Sequence, residues 1–225
     1  AVIGAAQFRQ ARGRHLVTSL TEHKAVIESC RHLATLGWRI TWLKPDADGL
    51  IAPAAVEAAL EPDTVLVSLM HVNNETGVIQ DVAAIGALCR RREVLLHVDA
   101  AQSAGRERID VRAQQIDLLS LSAHKLYGPK GVGALFIDQE RVRRVAPLMF
   151  GGGQERGLRP GTLATHQVAG MGEAFRLGAQ RLPEEAAHAR ARNIRRDVIV
   201  SLQAAVDDSG VSRRALCRAA GIGPN

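Results

Sequence analysis

The chain reads as an α/β protein on a mainly parallel sheet sandwiched by helices, and three observations carry that reading. Strand-like and helix-like segments alternate through the first two-thirds of its 225 residues. Runs such as Val65-Leu66-Val67-Ser68-Leu69-Met70 are apolar on both faces, as strands covered by helices on each side must be. The strand-like runs also end in polar residues, which is where open parallel sheets collect ligands.

In chain order, strands are predicted over 15–20, 39–44, 64–72, 94–100, 117–123 and 133–138, and helices over 22–36, 53–61 and 82–92. The first helix carries an apolar stripe of Val26, Cys30 and Leu33, the third a stripe of Val82, Ile85 and Cys89. After Phe150 the texture changes. A glycine-rich loop with two arginines, Gly151 to Thr162, precedes an alanine- and arginine-rich stretch over 167–206 that is broken near Pro183. Residues 207–225 read as a further short helical piece. The expected division is a sheet domain over 1–166, incomplete at its N-terminus, and a helical connection with a partial second domain over 167–225. There are no internal repeats.

Composition narrows the function classes. The net charge is +6, but the basic residues are spread along the chain and rarely interleave with aromatics, so nucleic acid is not an expected partner. No apolar run is long enough to span a bilayer, and the first residues lack the charged region and cleavage site of a secretory signal. Three scattered cysteines do not form a disulfide framework. A cytoplasmic location is expected. No histidine has metal-ligand spacing and no metal is expected. The loop at Gly151 lacks the Gly-Lys-Ser/Thr ending of a nucleotide-binding loop.

Lys125 is the most informative residue. Only four of the 29 basic residues are lysines, and this one directly follows an apolar strand and precedes a glycine-rich turn. A lysine amine condenses with an aldehyde, whereas an arginine stays protonated and does not. Four strand ends carry polar residues that would converge on one rim: Thr21-Glu22-His23, Asn73-Asn74-Glu75, Asp99 with Gln102, and Ser122 and His124 with Lys125 itself. This set meets the needs of pyridoxal 5'-phosphate, whose aldehyde requires a lysine and whose ring nitrogen requires a carboxylate. Its phosphate requires hydroxyls, imidazole and backbone N–H groups. Asp99 is the natural ring-nitrogen partner, as the only acid at such a strand end with apolar neighbours before it.

The segments Thr21-Glu22-His23-Lys24-Ala25-Val26, Met70 to Gly77, His97 to Ser103, Ser122 to Gly131 and Gly151 to Leu163 resemble the class V aminotransferase group, and within it the cysteine desulfurases. The likeness covers roughly residues 1–176. It implies the fold type I large domain, pyridoxal phosphate as cofactor, L-cysteine as substrate and L-alanine as product. The sulfur would leave as a persulfide for iron–sulfur cluster or thio-cofactor assembly. By the same resemblance Lys125 is the Schiff-base lysine and proton shuttle, and His23 stacks on the ring and helps move protons. Asp99 pairs with the ring nitrogen, Gln102 with the phenolic oxygen, and Asn74 sits beside that oxygen and the substrate carboxylate. Ser122 and His124 hold the phosphate, and Thr162 reaches the phosphate of a neighbouring subunit, which implies a homodimer. A sulfur-acceptor or scaffold protein is a further implied partner.

The sequence departs from that family in three places. The family's nucleophilic cysteine lies on a Ser/Gly-rich loop that has no counterpart among Cys30, Cys89 and Cys217; the first two read as buried helix residues, and Cys217 sits among arginines. The phosphate-binding Gly-Ala-Thr segment and the arginine that clamps the substrate carboxylate have no counterparts either, so the chain reads as a core fragment truncated at both ends. Residues 207–222 are similar to the first part of a repressor-type helix-turn-helix, with a helical end of the small domain as the plainer reading. Two other functions are therefore carried beside the desulfurase. One is another class V reaction of the selenocysteine lyase or aminotransferase type. The other is an inactive, truncated cofactor-binding module.

Overall fold

A computed structural model describes residues 1–182, and in it the apolar runs become six strands of one sheet. These are β1 (His15–Ser19), β2 (Arg39–Leu43), β3 (Thr64–Met70), β4 (Leu95–Asp99), β5 (Leu118–Ser122) and β6 (Gly133–Ile137). Between them lie α1 (Val2–Arg9), α2 (Lys24–Thr35), α3 (Pro53–Ala59) and α4 (Val82–Arg91), followed by the one-turn α5 (Gln139–Val142). A sixth helix, α6, begins at 165 and is helical to 182. The chain divides into two compact units, Ala1–Gln180 and Arg181–Asn225, and nearly all of the second lies outside the described residues. The predicted break near Pro183, the tail helix and Cys217 lie there too.

The sheet order is β2-β1-β3-β4-β5-β6. All neighbours are parallel except β5 and β6, which pair antiparallel from Leu118 opposite Ile137 to Ser122 opposite Gly133. Chain length explains the exception. A parallel return needs a crossover of roughly a dozen residues or more, and only 123–132 separate these strands. At the close of that connection, a Cβ on Gly133 would lie 2.5 Å from the Leu121 carbonyl oxygen, so the antiparallel partner of Ser122 has to be glycine.

The period of two along each strand divides the apolar residues between two cores. On one face Leu16, Leu66, Leu95 and Leu118 pack with Val2, Ala5 and Ala6 of α1 and with Val26, Cys30 and Leu33 of α2. On the other, Val17, Val67, Leu96, Val98 and Leu119 pack with Val56 of α3 and with Val82, Ile85, Leu88 and Cys89 of α4. Each fully buried leucine or isoleucine contributes about 1.5–3 kcal/mol by leaving water. At the amino ends of the strands, Asp117 is 1% exposed. Its Oδ2 accepts the Leu96 amide at 2.8 Å and its Oδ1 accepts from Arg141 Nε at 3.1 Å. The polar rim carrying the sequence motifs lies at the opposite, carboxyl ends.

Candidate active site

The face packed by α1 and α2 changes character toward the carboxyl ends of the strands. Two residues beyond the leucine layer stand Thr18, Ser68, His97 and Ser120, one from each of four adjacent strands. Thr18 Oγ1 donates to the Ser68 carbonyl at 2.8 Å, Ser68 Oγ meets His97 Nδ1 at 2.8 Å, and His97 Nε2 meets Ser120 Oγ at 2.8 Å. Burial pushes the His97 imidazole down to about 3, so it is neutral and offers one donor and one acceptor. Two residues further along the strands come Met70, Asp99 and Ser122, which border a cavity of about 330 Å³.

His23, Asn74, Asp99, Gln102, Ser122, His124 and Lys125 all line this cavity. Seven of the eight residues singled out from the sequence thus meet in one place. Lys125 stands in a 3₁₀ turn, Ala123–Leu126, that follows β5 without a break. Its backbone carbonyl accepts from Arg106 Nη2 at 3.0 Å. Asp99 is the last residue of β4, and its Oδ1 accepts the Ala101 amide at 2.9 Å. Gln102 Oε1 accepts from Arg106 Nη1 at 3.3 Å, which leaves the Nε2 hydrogens as its donors toward the cavity. Ser122 Oγ and His124 Nδ1 are 3.0 Å apart.

His23 caps α2. Its backbone is extended (φ −63°, ψ 148°) and its Nδ1 accepts the Ala25 amide at 3.2 Å. An imidazole nitrogen accepting there carries no proton and satisfies one of the free amides of the first helical turn. The ring proton therefore sits on Nε2, which is a donor.

The structure separates the two asparagines. Asn73 is buried and structural: its Nδ2 donates to the Thr21 carbonyl at 2.9 Å and its Oδ1 accepts the Glu75 and Thr76 amides. Asn74 is exposed and donates to Glu75 Oε1 at 2.7 Å. Thr162 is exposed and is not among the residues lining the cavity.

Sequence reasoning passed over two residues. Arg106, four residues after Gln102, joins that side chain to Lys125; the spacing was its only signal. Glu22 falls in the span predicted as helix 22–36, but the helix starts at Lys24, and Glu22 is 6% exposed just beyond β1. Glu22 is thus a buried acid at a strand end, where Asp99 is half-buried. Cys30 and Cys89 are fully buried, burial pushes both thiols up to about 12, and neither lines the cavity. At the far end of the sheet His15, Glu61 and Asp63 bring ligand-type atoms within 4.8 Å of one another. There, Arg39 pairs with both acids.

The chain matches the family model described as aminotransferase class-V over residues 1–219. It is 59% identical over 185 residues to the cysteine desulfurase IscS of Tolumonas auensis, covering 82% of this chain and 46% of that protein. Among solved structures, "SspA in complex with cysteine" is 44% identical with a TM-score of 0.75, covering 78% of this chain and 50% of that one. A NifS-like protein has a TM-score of 0.80 at 34% identity, covering 90% of this chain and 55% of that one. The chain spans about half the length of the curated relatives it matches. The mostly parallel six-stranded sheet between helices is the fold of these neighbours. With the match running from the first residue to residue 219, the chain belongs to the class-V aminotransferase family.

Proposed function

We propose that this chain is the cofactor-binding core of a pyridoxal phosphate-dependent cysteine desulfurase, which converts L-cysteine to L-alanine and passes the sulfur on as a persulfide. The observation that carries the reading is the convergence of Lys125, Asp99, His23, Gln102, Ser122 and His124 on one cavity. The relatives named cysteine desulfurase support the choice of substrate.

The donor set fits pyridoxal phosphate. A cavity of about 330 Å³ is within the range of small-molecule sites. It offers one amine, one carboxylate, and a hydroxyl–imidazole pair at the start of a helical turn. When bound, the cofactor supplies an aldehyde for amine condensation and a protonated ring that accepts an electron pair. The protein's part is binding, orientation and proton handling. Lys125 Nζ is the nucleophilic amine and, once released, the base that moves a proton at the substrate carbon. The Asp99 carboxylate holds a proton on the ring nitrogen. Gln102 donates to the phenolic oxygen, Asn74 serves that oxygen and the substrate carboxylate, and Ser122 with His124 grips the phosphate. His23 lies against the ring and offers its Nε2–H as a donor.

The wider reading includes a homodimer in which Thr162 reaches the partner's phosphate; its exposure, away from its own chain's cavity, supports this. A sulfur-acceptor or scaffold protein, iron–sulfur cluster assembly and a cytoplasmic location belong to the same proposal. One observation favours a second reading, a class V lyase that needs no thiol of its own: both described cysteines are buried away from the cavity. Two measurements decide. Pyridoxal phosphate added to the chain gives a visible absorption band that Lys125→Ala abolishes; a chain without such a band would sink the cofactor reading. Sulfide release from L-cysteine under reducing conditions then separates the desulfurase from an inert module. Release that survives replacement of all three cysteines supports the lyase.

A further inference from the structure

Glu22 is an acid where acids are seldom enclosed. It follows β1, directly before the capping His23, and is 6% exposed. Its Oε1 accepts the Met70 amide at 2.7 Å, while Oε2 has no hydrogen-bond partner among the described residues. Beside it, Asn73 Nδ2 donates to the Thr21 carbonyl at 2.9 Å. Two side-chain bonds thus fasten the loop after β1 to the end of β3. That loop carries His23, and the segment after β3 carries Asn74, both on the cavity.

Three elements face this carboxyl group. From β3 comes the Met70 amide, from β4 the charge of Asp99, and from α2 the Cys30 thiol, which burial holds neutral. His23 is its neighbour along the chain. The negative charge of Asp99 raises the cost of a second charge on Glu22. Glu22 keeps its proton, because ionisation costs most where solvation is least.

We propose that Glu22 is a positioning residue that works as an uncharged carboxylic acid, stapling the loop after β1 to β3. Burial pushes Glu22 up to about 8; the Met70 amide opposes that rise and Asp99 adds to it. The effect of the staple on cofactor binding rests on the reading above, whereas the staple itself and the proton on Glu22 do not. Between the ordinary value of 4.5 and about 8, the folded chain holds a proton that the unfolded chain releases. Stability from this group is therefore full below that window and falls as pH rises through it.

The test compares the 225-residue wild-type chain with Glu22→Gln and Glu22→Ala by thermal unfolding without cofactor from pH 5 to pH 9, and by pyridoxal phosphate titration at pH 7. Glutamine copies the protonated acid and cannot ionise. Its melting temperature lies closest to wild type at pH 5 and gains at least ~3 °C on it by pH 8.5; a difference that stays constant with pH would overturn the uncharged state. In an Asp99→Asn background this difference shrinks, and an unchanged difference would remove Asp99 from the account. Alanine, which lacks the acceptor for Met70, melts lower at every pH and binds pyridoxal phosphate about tenfold more weakly, while glutamine binds as wild type does. Wild-type affinity in the alanine variant would end the positioning role. A wild-type chain that binds no pyridoxal phosphate would sink the cofactor reading and leave the melting curves to decide the state of Glu22.

Discussion

Arg106 ties Gln102 to Lys125: one guanidinium nitrogen donates to the Gln102 side-chain oxygen and another to the Lys125 carbonyl, at 3.3 and 3.0 Å. The turn that delivers Arg106 depends on Gly105, whose φ of +76° is left-handed and whose Cβ would collide with the Leu126 side chain. The clamp sets which end of the Gln102 amide meets the cavity. Arg106→Ala should weaken pyridoxal phosphate binding about tenfold, the loss of a charged hydrogen bond, and move the absorption band of the bound cofactor. Arg106→Lys supplies one donor direction instead of a fork and should recover only part of the affinity. Absorbance titration reads both effects.

His97 should make the protein acid-sensitive. Burial pushes its imidazole from 6.5 down to about 3, so the unfolded chain takes up a proton across that interval and the folded chain does not. Stability from this group is full above 6.5 and is lost as pH falls toward 3. His15 and His71, also pushed down by burial, add to the same slope. His97→Leu should flatten the acid limb of a melting-temperature profile. It should also cost about 2 kcal/mol at neutral pH, because Ser68 and Ser120 lose their shared partner. An unchanged acid limb would remove His97 from the explanation.

Asp117 accepts the Leu96 amide and the Arg141 guanidinium while nearly excluded from water. Asp117→Ala strips both donors of their partner and should destabilise the fold by about 3 kcal/mol in urea unfolding. The residue stands at the amino end of β5, away from the cavity at the carboxyl ends, so the folded variant should keep the wild-type cofactor band. A shifted band would mean that the two ends of the sheet are coupled.

Cys30 and Cys89 should be inert in the native protein. Their thiols are fully buried and pushed up to about 12 by burial, so almost no thiolate forms near neutrality. In a Cys217→Ser background, iodoacetamide at pH 8 should label no cysteine until denaturant is added, as read by mass spectrometry. Rapid labelling of Cys30 under native conditions would show that α2 opens from the sheet.

The strands were legible from sequence to within a residue or two at most ends: 64–72 was expected and Thr64–Met70 observed, 94–100 expected and Leu95–Asp99 observed. Continuous burial on both faces leaves an apolar run bounded by polar residues, and that signal is local. The helices expected over 22–36, 53–61 and 82–92 were legible by the same logic, except where α2 begins, whereas α1 and the one-turn α5 were not among the elements expected from periodicity. Helical pattern alone ran back to Glu22, whereas the capping geometry of His23 starts the helix at Lys24 and turns Glu22 inward.

The residue types needed for the chemistry and their places at strand ends are therefore written in the chain itself: Lys125, Asp99, His23, Gln102, Ser122 and His124 were named without coordinates. Tertiary structure alone decided the strand order β2-β1-β3-β4-β5-β6, the separation of Asn73 from Asn74, the Arg106 clamp and the burial of Glu22 against the Met70 amide. Periodicity records which face of an element is covered. Partners distant in sequence, such as Glu22 and Met70 across 48 positions, are chosen only when the sheet closes and water is excluded between them.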